Sequence, residues 1–251
     1  MTASDRLHIG TSGWSYARWK NDVFYPPKLK QCDWLCFYAE RFNTVEVNTS
    51  FYHLPKTSMI EGWKERAPGN FTFALKLWRR ITHIKKLLNC AEDIQVFFQS
   101  ANILQPTQRG PILVQLPPSW QINAERLQTF LADLRANMGD YPWKIAVEFR
   151  NRTWYVPEIY ALLDREDVAL CIHDWGNRAI DVPNDSKLLY IRRHGTTGRY
   201  DGLYGEEQIA ADASRIAQWL QGGREVWAYY NNDIHGFAVQ NARQLMEALA
   251  R

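Results

Sequence analysis

Short apolar runs alternate with helix-like stretches from one end of this chain to the other. Apolar runs of this length are typical of parallel β-strands that are covered on both faces. Eight strands are predicted in this way: Leu7–Ser12, Thr44–Phe51, Phe71–Leu77, Pro111–Leu116, Ile145–Phe149, Val168–His173, Lys187–Arg193 and Glu225–Tyr230.

Seven helices are predicted between and after these strands: Asp33–Phe42, Ser58–Ala67, Ala91–Ile103, Ala124–Met138, Pro157–Asp164, Ile209–Leu220 and Phe237–Leu249. Thr57 is the predicted N-cap of the second helix. Pro157 begins the fifth helix, in a first turn that tolerates proline. No helix is predicted after the sixth strand, where Gly176–Pro183 is expected to form a loop or a short turn.

This alternation favours a parallel sheet with right-handed crossovers, and eight strand–helix repeats close a barrel. The length of 251 residues suits such a barrel, which needs roughly 250 residues. We therefore predict an α/β fold, a (β/α)8 TIM-like barrel, as a single domain over residues 1–251. The alternative is an open doubly wound sheet, but the chain lacks both a Gly-x-Gly-x-x-Gly turn after the first strand and a P-loop.

The composition bears on several classes of protein. A net charge of +3 gives nucleic-acid binding only weak support, because a dedicated DNA-binding protein usually has a strongly basic face or run. No apolar run reaches the roughly 20 residues of a membrane span, and the N-terminus lacks the apolar region of a signal peptide. The chain is therefore predicted to be cytoplasmic, without membrane contact. Its cysteines lack Cys-x-x-Cys spacing and are predicted to be small buried hydrophobes: Cys32, Cys36, Cys90 and Cys171.

Active sites of (β/α)8 barrels lie at the C-terminal ends of the strands. This rule selects the polar and aromatic residues at the predicted strand ends as candidates. The predicted catalytic residues are Glu148, Glu46 and Lys76. The predicted substrate-binding residues are Trp14, Tyr16, Asn48, Tyr52, Gln115, Arg150, Asp174, Trp175, Arg192, His194 and Asn231.

Several short motifs follow one another in order along the chain. They are Gly10-Thr11-Ser12-Gly13-Trp14, Val45-Glu46-Val47-Asn48, Lys76 with Ile81-Thr82-His83, Gln115-Leu116-Pro117-Pro118, Val147-Glu148-Phe149-Arg150, Arg192 with His194-Gly195, and Asn231-Asn232. Together they resemble the YecE-like family, domain of unknown function 72, over nearly the whole chain. The resemblance implies a TIM-like barrel and implies no established activity. Trp78-Arg79-Arg80 departs from it, because a smaller residue is expected after the lysine.

Glu46 and Glu148 are flanked by apolar residues in their strands. A carboxylate in such surroundings is either paired with a cation or raised in pKa, and a raised pKa makes it a general acid or base near neutral pH. The alternative is a structural ion-pair network with Lys76, Arg150 or Arg192. For Lys76, a Schiff base is one interpretation, and a counter-ion or an anion-binding lysine is the other.

Arg150, Arg192 and His194 indicate an anion site, because arginine offers a planar pair of donors to carboxylate or phosphate. Gly195-Thr196-Thr197-Gly198 follows the seventh strand, where barrels often bind phosphate; the alternative is a flexible loop whose arginines pair with nearby acids. Asn48, Gln115 and Asn231 are expected to orient hydroxyl groups.

The first functional hypothesis is a metal-independent enzyme, without a cofactor, that acts on a small anionic substrate such as a phosphorylated sugar or a nucleotide fragment. A nucleic-acid or nucleotide-binding groove is the second hypothesis. A divalent-metal hydrolase or isomerase is the third, although metal-ligand spacing of the His-x-Glu-x-x-His kind is absent and no metal ligand is predicted. The sequence leaves the oligomeric state open.

Overall fold

The computed structural model describes residues 4–140, 143–177 and 180–250. Its strands are β1 (Leu7–Thr11), β2 (Thr44–Val47), β3 (Thr72–Lys76), β4 (Arg109–Gln115), β5 (Ile145–Glu148), β6 (Ala169–Leu170), β7 (Ile172–His173), β8 (Leu188–Arg193) and β9 (Glu225–Tyr230). Its α-helices are α1 (Trp34–Ala39), α2 (Thr49–Tyr52), α3 (Thr57–Arg66), α4 (Ala91–Ala101), α5 (Ala124–Ala136), α6 (Pro157–Arg165), α7 (Glu206–Gln221) and α8 (Phe237–Leu249). A single π-helical turn covers Arg80–Ile84.

The strands form two sheets, with the orders β1-β9-β8-β7 and β2-β3-β4-β5-β6. The strand pairs with a determined register are all parallel. Backbone contacts divide the chain into two compact units. The first unit is Met1–Glu46, Cys171–Pro183 and Lys187–Arg251, and the second is Val47–Leu170 and Asn184–Ser186. An α/β fold with parallel sheets is thus confirmed, whereas one closed barrel and one domain over residues 1–251 stay predictions.

Aromatic residues fill much of the interior of each unit. In the first unit the rings of Tyr25 and Trp34 stack with centroids 4.5 Å apart. In the second unit Phe149 and Trp154 stack in the same way at 4.7 Å. Helix α5 buries Leu127, Phe130, Leu131 and Leu134 along one face. Its N-cap is Asn123, whose Oδ1 accepts a hydrogen bond of 2.9 Å from the backbone N–H of Arg126. This is the ordinary N-cap arrangement.

The second strand is shorter than predicted, because it ends at Val47 and the chain turns into the short helix α2. The hydroxyl of Ser50 explains the change: it donates to the carbonyls of Val47, at 2.9 Å, and Lys76, at 2.7 Å. A side chain that satisfies strand carbonyls in this way gives the backbone an alternative to the sheet.

The sixth predicted strand is interrupted at Cys171. Its first half, β6, pairs with β5, and its second half, β7, pairs with β8, so the two halves belong to different sheets. The structure describes a 3₁₀ turn at Trp175–Asn177 after β7. The predicted loop at 176–183 includes residues 178–179, which lie outside the described part of the chain.

Two smaller predictions are wrong. Thr57 is the first residue of α3 and Lys56 is its N-cap, so Thr57 does not cap the helix. Cys32 and Cys36 are exposed rather than buried, since α1 turns Trp34, Leu35 and Tyr38 towards the core. Cys90 and Cys171 are buried, as predicted. No helix among the described residues is long and apolar enough to cross a membrane.

Candidate functional site

Three predicted site residues end three neighbouring strands of the second unit. Lys76 is the last residue of β3, Gln115 of β4 and Glu148 of β5. The Cα atoms of Gln115 and Glu148 are register partners, and Lys76 is level with Leu113, two residues before Gln115. Because side chains alternate between faces along a strand, all three predicted residues lie on the same face of the sheet. We call this group, with Arg150, the strand-end cluster.

Lys76 is 8% exposed. Its Nζ lies 4.1 Å from the centroid of the Phe51 ring, which presents its electron-rich face to the ammonium group. Phe51 comes from α2, the turn that Ser50 joins to the end of β3 through the Lys76 carbonyl. The backbone change at the end of β2 therefore places an aromatic ring directly under the lysine.

Glu148 and Arg150 form a buried ion pair. The Nε of Arg150 lies 2.6 Å from Oε1 of Glu148, and the two residues are 9% and 0% exposed. Gln115 donates from Nε2 to the carbonyl of Leu116 at 2.7 Å. The sequence left two interpretations of Glu148 open, a general acid or base and a member of an ion-pair network. Its contact in the structure is with Arg150, one of the partners named for that network.

The structure adds His83 to this group of residues. His83 lies in the π-helical turn, its ring meets Phe51 edge to face at 4.9 Å, and its Nδ1 is 2.9 Å from the hydroxyl of Thr82. Burial, followed by the positive charges of Lys76, Arg150 and Arg79, lowers the pKa of His83 to about 4, against the opposing effect of Glu148. At neutral pH the imidazole is therefore uncharged.

Sequence reasoning missed this residue, because His83 lies beyond the end of the third predicted strand, Phe71–Leu77. A signal was present: Ile81-Thr82-His83 belongs to the motifs that carry the family resemblance. The helical turn between the lysine and the histidine was not visible in the sequence, because a five-residue turn has no apolar periodicity of its own.

In the first unit, Glu46 is fully buried and its carboxylate is held from two sides. Arg192 donates to Oε2 from Nε at 2.9 Å and to Oε1 from Nη2 at 2.8 Å. The hydroxyl of Tyr190 donates to Oε2 at 2.7 Å. Burial, and then the charge of Glu46, raises the pKa of Tyr190 well above its ordinary value, so this phenol remains a donor. The Cα atom of Glu46 is also paired with that of Ser12 in a parallel bridge.

The loop after β8 is closed by its own hydrogen bonds. The backbone N–H of His194 donates to Oδ1 of Asp174 at 2.7 Å, and the Tyr204 hydroxyl contacts the other oxygen. Within the loop, the N–H groups of Thr197 and Gly198 donate to the carbonyls of Asp201 and Gly195. These contacts make the loop an ordered turn, and they occupy donors that a phosphate would otherwise use.

The loop's glycines are required by its shape. A Cβ at Gly195, where φ is +93°, would lie 2.0 Å from the Asp201 carbonyl oxygen. Arg193, the last residue of β8, pairs with an acid of helix α7: its Nε donates to Oδ2 of Asp212 at 2.8 Å. Burial raises the pKa of Asp174 above its ordinary value, although Arg193 opposes the effect.

The other predicted substrate-binding residues occupy varied places. Asn231 Nδ2 lies 3.2 Å from Nδ1 of His194, and both side chains are buried. The Tyr16 hydroxyl donates to the Ser12 carbonyl at 2.5 Å. Trp14 and Trp175 are half-buried in the first unit.

In the second unit, Tyr52 is 58% exposed and meets Phe51 edge to face at 5.0 Å. Asn48 is half-buried, and its Oδ1 is a buried atom with no hydrogen-bond partner among the described residues. Tyr52 therefore contacts the aromatic ring that lies against Lys76, and Asn48 is the N-cap residue of the short helix that carries this ring.

The described residues contain no group of three His, Cys, Asp or Glu side chains that could hold a metal ion. Three carboxylates at or near the predicted strand ends are engaged by other side chains: Glu46 by Arg192, Glu148 by Arg150, and Asp174 by Tyr204. The rings of His173 and His194 are 6.4 Å apart between centroids.

The model of one protein family, described as protein of unknown function DUF72, matches residues 8–251. The chain belongs to the DUF72 family. Among curated relatives, the UPF0759 protein YunF of Bacillus subtilis (strain 168) is 24% identical over 276 residues, covering 97% of this chain and 94% of YunF. The UPF0759 protein YecE of Escherichia coli (strain K12) is 30% identical over 114 residues, covering 45% of this chain and 39% of YecE.

Solved structures of DUF72 proteins are similar to this chain over its whole length. A DUF72 family protein from Thermotoga maritima MSB8, TM1631, superposes with a TM-score of 0.85 at 26% identity, covering 98% of this chain and 99% of that one. The solved structures that resemble this DUF72 chain have TIM-barrel-like folds. The family resemblance inferred from the motifs is thus confirmed, and it carries no established activity.

Proposed function

We propose that the strand-end cluster of the second unit binds the anionic group of a small substrate, and that the protein is a metal-independent enzyme acting on that substrate. One observation carries the proposal. Three cationic side chains, Lys76, Arg150 and Arg79, act on the His83 imidazole, and a single carboxylate, Glu148, opposes them. Cationic groups that outnumber carboxylates around a half-buried ring favour an anion there.

The roles follow from the chemistry of each side chain. Arg150 offers a planar set of donors and Lys76 a compact positive charge, and both suit phosphate or carboxylate oxygens. When the Thr82 hydroxyl donates to Nδ1 of His83, the ring proton is on Nε2, where it is available as a neutral donor to an anion. Gln115 and Asn48 orient substrate hydroxyls, and Glu148 transfers a proton as general acid or base.

In the first unit, Glu46 and Arg192 neutralise each other. We therefore propose that Glu46 orients the Arg192 side chain and does not transfer a proton. We further propose that the chain forms one (β/α)8 barrel in the cytoplasm, which the TIM-barrel-like folds of the solved relatives support.

The first experiment is a titration with inorganic phosphate, followed by NMR of the imidazole signals of His83. A bound anion favours the imidazolium, so phosphate is expected to raise the pKa of His83 from about 4. Lys76→Met is expected to weaken phosphate binding about ten-fold or more, because hydrogen bonds to charged groups contribute about 1.5–3 kcal/mol. Lys56→Met, which removes an exposed lysine of the same unit, is the matched control and should bind as wild type does.

The second experiment asks which larger anions bind, using thermal unfolding with sugar phosphates, nucleotides and oligonucleotides. A ligand that needs Lys76 and Arg150 supports the proposal, and turnover lost in Glu148→Gln with binding retained supports the enzyme assignment. If wild-type His83 does not respond to phosphate, the anion site is wrong. Oligonucleotide binding that survives Lys76→Met favours the nucleic-acid alternative.

A further inference from the structure

Asp93, in the first turn of α4, contacts both ends of the π-helical turn that carries His83. Its Oδ1 accepts from Nε of Arg80 at 2.7 Å, and its Oδ2 lies 2.5 Å from Nζ of Lys85. Arg80 is the first residue of the turn and Lys85 is its C-cap. One carboxylate therefore holds the two ends of the turn together from outside.

The turn itself has an uncommon geometry. The backbone N–H of Lys85 donates to the carbonyl of Arg80, five residues earlier, at 2.9 Å. Turns with this spacing are rare, and they occur frequently at functional sites. The residues that follow are also unusual, since Lys86, Leu87 and Asn89 have φ values of 49°, 63° and 49° without being glycine.

Such backbone conformations persist only where the surrounding contacts impose them. Two of the contacts come from within the segment: Leu87 N–H donates to the Ile81 carbonyl at 3.0 Å, and Nζ of Lys85 donates to the Asn89 carbonyl at 2.9 Å. From outside the segment, Asp93 contacts both ends of the turn, and Phe51 meets the His83 ring. Burial alone raises the pKa of Asp93, but hydrogen bonds from Lys85 and Arg80 outweigh it and lower that pKa below its ordinary value.

We propose that Asp93 is a positioning residue for the anion site: by holding Arg80 and Lys85 it fixes the π-helical turn and so keeps the His83 ring against Phe51, beside Lys76. The inference rests on the proposed function for its meaning, because it concerns a residue of that site. Asp93 itself does not enter the site, since its two oxygens face Arg80 and Lys85.

The test is Asp93→Asn, with the pKa of His83 measured by NMR as the main result. If the turn relaxes, the ring moves away from Lys76 and Arg150 into water, and the pKa of His83 is expected to rise by about one unit or more towards its ordinary value near 6.5. Loss of a negative charge without movement has the opposite sign, because it disfavours the imidazolium and lowers the pKa. The direction of the shift thus separates positioning from simple electrostatics.

The matched control is Glu92→Gln, which removes an exposed acidic residue from the same helical turn. It should leave the pKa of His83 and the affinity for phosphate as in wild type. Lys85→Met should shift the pKa in the same direction as Asp93→Asn, and Asp93→Glu, which keeps the carboxylate, should restore most of the wild-type value. Circular dichroism and thermal unfolding confirm that each variant is folded.

For phosphate, Asp93→Asn is expected to weaken binding about five-fold or more, with Lys76 and Arg150 intact. A folded Asp93→Asn variant whose His83 pKa stays near 4 or falls overturns the positioning role, whatever the phosphate affinity. If wild-type protein binds no phosphate, the proposed function fails, yet the His83 pKa in the same variants still decides whether Asp93 positions the ring.

Discussion

Each unit has a buried glutamate near the end of a strand, Glu46 one residue before the end of β2 and Glu148 at the end of β5, and their surroundings differ. Glu46 in the first unit receives hydrogen bonds from both Arg192 and Tyr190. The side chains of Glu46 and Arg192 are 0% and 1% exposed. Glu148 in the second unit faces Arg150, with Lys76 and Arg79 adding to the positive charge near His83. The first carboxylate is thus balanced within the protein, whereas the second lies in a region of excess positive charge.

Burial of a carboxylate does not by itself mark a catalytic group. A balanced pair such as Glu46–Arg192 stabilises the arrangement of strands when both members are present and is costly when one is removed. Where cationic groups outnumber carboxylates around a titratable ring, as they do around His83, an anionic ligand is favoured. We therefore expect mutations in the two places to affect different measurements.

The largest effect is expected from Arg192→Met in the first unit. This change leaves the Glu46 carboxylate buried without its cationic partner, and breaking such a pair costs about 3–5 kcal/mol of the free energy of unfolding. Denaturant unfolding at pH 7 measures it. The matched change in the second unit is Arg150→Met, in which Lys76 still faces the site; we expect a smaller loss of stability there, and equal losses would remove the distinction between the two glutamates.

Much of this architecture was predictable from the sequence, and for physical reasons. The alternation of apolar runs with helical periodicity predicts β9 and α8 with their observed bounds, because strands and helix faces that are buried as a whole consist of apolar residue types. The strand-end rule selected Lys76, Gln115 and Glu148, which do share one sheet face.

What the sequence did not reveal depends on contacts between distant residues. The end of β2 depends on a hydroxyl of Ser50 that reaches the carbonyl of Lys76, 26 positions away. His83 lies in a turn whose two ends both contact Asp93, a residue of the next helix. Neither contact has a local pattern, so a reading of neighbouring residues could not find it.

An intermediate effect is expected for His83→Gln, in the pH dependence of stability. Because the folded protein holds the pKa of His83 at about 4, the unfolded chain gains a proton on this residue as the pH falls below about 6.5, while the folded protein does not. The free energy of unfolding therefore includes a contribution from the neutral His83 ring that is present at neutral pH and is lost as the pH falls from about 6.5 to about 4.

Allowing for solvent screening of a partly exposed ring, wild type should lose about 1–2 kcal/mol more than His83→Gln over that range. Thermal or denaturant unfolding at several pH values checks this difference. His53→Gln, at an exposed histidine of the same unit, is the control and should follow wild type. Saturating phosphate should shrink the difference between wild type and His83→Gln, since a bound anion raises the folded-state pKa of His83. Parallel curves for all three proteins would contradict the lowered pKa of His83.

The smallest effect is expected for Tyr52→Ala, which tests whether a ligand of the second unit has a ring in addition to its anionic group. Tyr52 is 58% exposed, so its removal should change the free energy of unfolding by no more than about 0.5 kcal/mol. Inorganic phosphate should bind Tyr52→Ala as it binds wild type. A ring-bearing anion such as a nucleoside monophosphate should lose about 1 kcal/mol, or roughly five-fold in affinity, if its ring stacks on the exposed tyrosine. Tyr52→Phe keeps the ring and should bind normally, and a loss of phosphate affinity in Tyr52→Ala would instead assign this residue to the support of Phe51 beneath Lys76.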